Sequence, residues 1–232
     1  MSHIQQLLST GEEFAPPASV RAWAPIPSQD DWTAAARENP ERFWHDLSTH
    51  IAWESAPTEV LHGKLGDARW FVDGRLNATV SCLDRHVRTH PSQVAYHFVC
   101  ENGTTRDITY RDLLAEVARL ANALRADGVE KGDRVCIYMP LTIEGIVAML
   151  ACARIGAVHS VVYAGLGATA LRDRIEDAQA EVVLAADVTY RRGKPVDLKA
   201  IVEDAVAGTN AVRRIVWWRR ETKGTRLGRR ER

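Results

Sequence analysis

No apolar run in these 232 residues is long enough to span a bilayer, which takes about 20 consecutive apolar residues as a helix. The longest, around Ile143 to Val162, is broken by Arg154, Gly156 and His159. The amino terminus lacks the charged-then-apolar layout of a secretory leader, so a cytoplasmic protein is the expectation. Cysteine is scarce. Cys82, Cys100, Cys136 and Cys152 show no CxxC spacing and sit inside apolar patterns, which points to buried thiols rather than disulfides or zinc ligands. No internal repeat is evident, and the formal net charge is zero. What is left is an ordinary globular composition, 46% apolar and 26% charged, in a chain able to bury about 70% of its unfolded surface.

The zero net charge conceals an asymmetry. Residues 213–232 hold nine Lys or Arg against Glu221 and Glu231, a surplus of seven that the rest of the chain must balance. A basic, disordered tail is expected over 219–232; no recognition motif accompanies it, so nucleic acid is not an expected partner.

The chain is organised around residues 134–187. Val135 to Met139 is a short apolar run stopped by Pro140, and Val158 to Tyr163 and Val182 to Ala186 are two more, rich in β-branched residues, as buried strands are. Each could pair with the next. Ile143 to Ile155 is apolar on nearly every face, with Thr142 placed to cap its start and Gly156 to take the left-handed position after its end. Such a helix must be covered all round, and each buried Ile, Leu or Val contributes roughly 1.5 to 3 kcal/mol. The expected fold is therefore α/β, a parallel βαβαβ core. Such sheets carry ligands beyond the carboxyl ends of their strands, here Pro140, Ala164 to Gly167 and Asp187 onward.

Around this core the pattern predicts a Trp-rich helical amino-terminal layer and a β-hairpin. Residues 1–18 are weakly patterned, helix begins at Ser28, and Asn39 caps a second helix with Pro40 at its first position. Trp23, Trp32, Trp44, Trp53 and Trp70 are expected as hydrophobic anchors fastening this layer to the larger body. Arg69 to Val72 is a short strand, and a helix begins near Asn77. Val94 to Cys100 alternates, turns at Glu101-Asn102-Gly103 and returns through Arg106 to Ile108, a hairpin signal. Thr109 with Asp112 resembles a capping box opening a helix that stops at Gly128. Val188 to Pro195 is expected as a loop, Asp197 to Ala207 as a helix and Val212 to Trp218 as a strand.

Three constellations could carry chemistry. Gly165-Leu166-Gly167-Ala168-Thr169-Ala170 follows a strand, opens a helix and fits the dinucleotide fingerprint, with Asp187 standing where a ribose-binding acid would; an NAD-binding, Rossmann-like domain is one reading. The same two glycines also serve simply to turn the chain. Arg191-Arg192-Gly193-Lys194 offers a phosphate three cations and free backbone N–H groups at a carboxyl-end loop. Cys82, His86 and His90 have a spacing that suits a metal, but no carboxylate or second cysteine completes a set, so structural histidines are expected.

These residues also carry a resemblance. Phe71 to Asn77, Ser81 to His86, Lys131 to Val135, Ile137 to Pro140 and above all Ala148 to Val162 resemble the amino-terminal part of acetyl-coenzyme A synthetases, the AMP-forming acetate–CoA ligases of the adenylate-forming superfamily. The resemblance runs from about Trp44 to Trp218. It implies a ligase in which acetate attacks ATP to give acetyl-adenylate and pyrophosphate, after which the coenzyme A thiol displaces AMP. The loop matching Arg191, Arg192, Gly193 and Lys194 would bind the adenine and phosphate end of coenzyme A, beside the turn matching Tyr163, Ala164 and Gly165. Two departures stand out: Tyr163-Ala164-Gly165-Leu166-Gly167 where the family usually has Phe-Gly-Gly-Phe-Ser, and Arg192 where it commonly has Gly.

The resemblance also marks what this sequence does not contain. The Thr/Ser/Gly-rich run ending in Pro-Lys-Gly that holds the ATP phosphates is not in it. Coenzyme A and ATP are implied as substrates and Mg2+ as a companion ion, with no Mg2+ ligands in this chain and no catalytic residue assigned. The expected division is a weakly ordered start (1–18), a synthetase N-terminal region (19–107), the first part of a truncated AMP-binding domain (108–218) and the tail (219–232). The expected partners are coenzyme A and, through an exposed sheet edge, a second copy or a full-length ligase. A non-catalytic module that binds coenzyme A remains the alternative to a ligase fragment.

Overall fold

The computed structural model describes residues 15–26, 28–64, 66–101 and 103–220. In chain order the elements are α1 (Ala18–Trp23), α2 (Gln29–Glu38), α3 (Pro40–Ser48), β1 (Trp53–Ser55), β2 (Leu61–His62), β3 (Arg69–Trp70), β4 (Arg75–Leu76), a π-helical turn (Val80–Asp84) and α4 (Arg85–Thr89). They continue with β5 (Val94–Val99), β6 (Thr105–Thr109), α5 (Tyr110–Ala126), β7 (Arg134–Tyr138), α6 (Ile143–Ile155), β8 (Val158–Val161), α7 (Ala168–Ala178), β9 (Val182–Ala186), β10 (Val188–Arg191), β11 (Lys194–Asp197), α8 (Leu198–Ala207) and β12 (Arg214–Trp218).

The chain forms two units, one of residues 1–51 and 57–72 and one of 52–56 and 73–232. In the first, local chemistry sets the helices. Ser28 Oγ accepts the Asp31 N–H at 3.2 Å, and Asn39 Oδ1 accepts the Arg42 N–H at 3.0 Å with Pro40 at the first helical position. Its aromatic rings make a chain of edge-to-face contacts: Trp32 on Phe43, Phe43 on Trp44, and Trp44 on Trp70, with centroids 5.4, 5.4 and 5.7 Å apart. Of the tryptophans expected as hydrophobic anchors, Trp23 is 75% exposed and Trp44 and Trp70 are also exposed, while Trp32 and Trp53 are half-buried.

The second unit is built on a four-stranded parallel sheet in the order β12-β9-β7-β8. Tyr138 pairs with Ala185 in the β7–β9 ladder, and Arg134 to Ile137 pair with Val158 to Val161 in the β7–β8 ladder. β8 therefore does not pair with β9, as simple succession would have it; β7 lies between them. The chain steps from β7 to β8 in one direction, then crosses back past β7 to β9 and on to β12. Right-handed crossovers running in opposite directions must lie on opposite faces of the sheet, and they do. α5 and α6 pack on one face with Val135, Ile137, Val182 and Leu184, while α7 and α8 pack on the other with Cys136, Tyr138, Val183 and Ala185. Every residue of β9 is buried, as a strand covered on both faces requires.

α6 behaves as its sequence predicts. Thr142 Oγ1 accepts the Gly145 N–H, Gly156 takes the left-handed position with φ 78°, and no residue of the helix is exposed. The alternating run gives the antiparallel β5–β6 hairpin, though Asn102 of its turn lies outside the described residues, as do 1–14 and 221–232. The stretch expected as a loop at 188–195 is instead a second hairpin, β10–β11. Pro195 is tolerated there because a proline without an N–H can sit in a strand that has only one partner. The helix near residue 80 contains a π turn, which sequence periodicity does not signal.

Candidate functional site

The strand order puts the reversal of winding between β7 and β9, and ligand crevices in such sheets open beyond the carboxyl ends of the strands at that point. A cavity of about 540 Å³ opens beyond the carboxyl ends of β7 and β8, against the β10 hairpin. Its wall includes Met139 to Thr142 after β7, Tyr163, Ala164 and Gly165 after β8, and Tyr190 and Arg191 of β10. The two segments singled out in the sequence thus meet in one cavity.

The glycine turn is held from below. Tyr138, fully buried at the end of β7, donates its hydroxyl to the Leu166 carbonyl at 2.6 Å, while the N–H groups of Gly165 and Leu166 donate to the Tyr163 carbonyl at 2.8 and 3.1 Å. Burial pushes the Tyr138 phenol above its ordinary pKa, which keeps it a neutral donor. The Tyr163 ring folds over Gly165, where a Cβ would come within 2.5 Å of its Cε1, so this position needs glycine while the ring stays there. Ala164 packs against the core under α7 and α8.

The arginine hairpin has Arg191 directly opposite Lys194, with Arg192 (φ 51°) and Gly193 (φ 73°) at its tip. Two positive φ angles in succession are those of a tight hairpin turn; they suit Gly193 and cost Arg192 some strain. Like charges facing across a ladder repel, so the tip is a concentrated cationic point. It is not entirely free: the Gly193 N–H, expected to be open to a phosphate, donates to Glu101 Oε1 at 3.2 Å. Of the seven residues predicted for the site, Tyr163, Ala164, Gly165 and Arg191 line the cavity, while Arg192, Gly193 and Lys194 do not.

Residues that sequence reasoning passed over complete the wall. Glu101 and Cys100 reach it from the β5 hairpin, and Arg220 from the end of β12. Arg220 belongs to the span expected as a disordered tail, yet it is anchored. Its backbone N–H donates to Asp187 Oδ1 at 2.8 Å and its guanidinium carbon lies 5.1 Å from the centre of the Tyr190 ring. Asp187, the expected ribose acid of a dinucleotide site, is thereby occupied in tying β9 to β12, and its own carbonyl accepts from Leu198 and Lys199. The glycine turn, moreover, follows the edge strand β8 rather than either strand flanking the reversal.

His86, proposed among possible metal ligands, stacks on Tyr110 at 4.8 Å. Among the described residues no group of three or more His, Cys, Asp or Glu side chains could hold a metal ion. No helix of the described residues is long and apolar enough to cross a membrane.

Residues 83–225 match the family model of the AMP-binding enzymes, and residues 29–82 that of the acetyl-coenzyme A synthetase N-terminus. The chain is 45% identical over 223 residues to the acetyl-coenzyme A synthetase of Streptomyces avermitilis, covering 94% of this chain and 33% of that one. It is 44% identical over 228 residues to the same enzyme of Burkholderia lata, covering 95% and 34%. The solved structure of acetoacetyl-CoA synthetase from Streptomyces lividans superposes with a TM-score of 0.81 at 26% identity, over 93% of this chain and 36% of its own. The chain therefore spans about a third of the length of the relatives it matches.

Proposed function

We propose, on the premise that the chain belongs to the AMP-binding enzyme family and carries an acetyl-coenzyme A synthetase N-terminal region, that its cavity takes the nucleotide end of coenzyme A in an acetate–CoA ligase. The observation that carries the reading is that Gly165 and Arg191, from two separate segments of the chain, line one cavity at the carboxyl ends of the sheet. In this reading Arg191 supplies charge inside the cavity, and Arg192 and Lys194 supply it at the mouth. Tyr163 and Ala164 shape the wall, and Gly165 lets the backbone come close. A polyanion approaching this cationic hairpin relieves the repulsion between Arg191 and Lys194, which gives binding a second source of free energy beyond its direct contacts.

The reaction of the whole ligase would be acetate and ATP giving acetyl-adenylate and pyrophosphate, then the coenzyme A thiol displacing AMP. Adenylation needs charge stabilisation around the transferring phosphorus. In this reading that stabilisation comes from residues beyond these 232, and the present chain contributes a coenzyme A subsite in a cytoplasmic setting. Two measurements test it. Titration with coenzyme A, followed by intrinsic Trp fluorescence, should saturate, and Arg191→Ala should abolish the response. Acetate-dependent ATP–pyrophosphate exchange should be absent with this chain alone; robust exchange would show that adenylation lies within it.

Association with a second copy or a longer ligase is a further part of the reading. It is supported by the two edge strands, β8 and β12, and by Val158 and Val161, both exposed on β8. Sedimentation velocity showing a single monomeric species across a hundredfold concentration range would retire it.

A further inference from the structure

We infer that Arg220 is a second cavity cation that grips a phosphate of the ligand together with Arg191, a role that rests on the coenzyme A reading above for the ligand's identity. The strand ladder, a backbone clamp and a ring contact together place its guanidinium. The β12–β9 ladder pairs Trp218 with Ala186, so the two residues that follow Trp218 emerge beyond the carboxyl end of β9. There the Arg220 N–H is held by Asp187 Oδ1 at 2.8 Å, and the side chain reaches the β10 hairpin. The guanidinium then lies over the Tyr190 ring at 5.1 Å, one residue before Arg191. A guanidinium resting on a ring face keeps its N–H groups directed outward in its own plane, the arrangement that grips a phosphate through two parallel hydrogen bonds.

The remaining contact leaves that capacity open. Arg220 Nη2 lies 3.2 Å from Cys100 Sγ. A thiol sulfur is a weak acceptor and does not neutralise a cation, whereas a phosphate oxygen is a strong one. Both Arg220 and Arg191 line the same cavity wall as Tyr190. They reach it from different strands, so a ligand held between them is fixed in direction as well as in place, which neither cation alone would achieve.

The test uses the whole 232-residue chain and two probes, coenzyme A and inorganic pyrophosphate, titrated by calorimetry at two salt concentrations. Arg220→Ala should weaken coenzyme A binding about tenfold or more and lower its salt sensitivity by about one phosphate contact. Arg125→Ala, which removes a charge from an exposed position of α5, should change it less than twofold. Arg220→Lys should recover part of the loss, because it restores charge without the planar fork. If Arg220→Ala fails to fold by circular dichroism, Arg220→Gln takes its place, keeping the stack and discarding the charge. Coenzyme A affinity unchanged in Arg220→Ala but lost in Arg191→Ala overturns this inference and leaves the coenzyme A reading standing. Pyrophosphate bound in an Arg220-dependent way without coenzyme A binding does the reverse, and no binding of either probe to the unaltered chain overturns both.

Discussion

Gly193 donates its backbone N–H to the carboxylate of Glu101 at 3.2 Å, joining the tips of two hairpins 92 residues apart in sequence. On the proposed coenzyme A reading, a phosphate at the arginine hairpin would compete with the Glu101 carboxylate for this N–H and for the same cationic field. Glu101→Ala should therefore tighten coenzyme A binding about two- to fivefold, the scale of an exposed interaction of roughly 0.5 to 1 kcal/mol. Calorimetric titration of both proteins at low salt checks it; weaker binding in the variant would mean that Glu101 orders the hairpin rather than opposing the ligand.

Tyr138 acts on the other wall. Its hydroxyl anchors the glycine turn through the Leu166 carbonyl, from a side chain with no exposed surface. Tyr138→Phe keeps the packing and removes the hydrogen bond, leaving a carbonyl unserved, at a cost of about 1 to 2 kcal/mol. A lower urea midpoint with an unchanged denaturant slope is expected, together with severalfold weaker coenzyme A binding from the loosened turn. A variant as stable as its parent would show that water serves that carbonyl equally well.

The second unit's acid sensitivity should centre on Asp84 and Arg154. Arg154 Nη1 and Nη2 donate to Asp84 Oδ2 and Oδ1 at 2.9 and 3.0 Å, Nη1 also reaches Thr79 Oγ1, and the Arg154 carbonyl accepts from Asn77 Nδ2. The hydrogen bonds from Arg154 hold the Asp84 carboxyl below its ordinary pKa, more than offsetting burial, which acts the other way. A carboxyl with a depressed folded pKa stabilises the fold above its unfolded pKa of about 4 and loses that contribution as pH falls through the folded value. Asp84→Asn should cost about 1 to 3 kcal/mol at pH 7. The gap between the two proteins should close as the pH drops below about 4, as equilibrium unfolding across that range would show.

Thiol labelling separates the cysteines by burial. Cys136 and Cys152 are fully buried, and desolvation pushes both thiols up to about 12, so neither offers thiolate at pH 8. Cys82 is exposed. Iodoacetamide under native conditions should modify Cys82 readily and leave Cys136 and Cys152 unmodified until denaturant is added, read peptide by peptide by mass spectrometry. Native labelling of Cys136 would mean that the sheet opens on the labelling timescale.

Much of the fold could be read from the chain because its signals are local. Thr142 before the apolar run and Gly156 after it fixed both ends of α6, Asn39-Pro40 began α3, and the alternation from Val94 gave β5 and its hairpin. A cap acts within one turn and a strand's alternation within a few residues, so neighbours in sequence suffice to reveal them. Some local signals misled. Gly193 and Pro195 are loop formers by local chemistry, although together they permit a tight hairpin.

The sequence by itself determined the strands and helices of the parallel core and the candidacy of the glycine and arginine segments. Only the tertiary structure decided that β7 lies between β8 and β9, that Glu101 answers Gly193, and that Asp187 serves Arg220 rather than a ribose. The physical reason is that these are encounters between residues tens of positions apart, set by which strand edge each crossover reaches. No periodicity or cap encodes that choice; the burial of both sheet faces against four helices does.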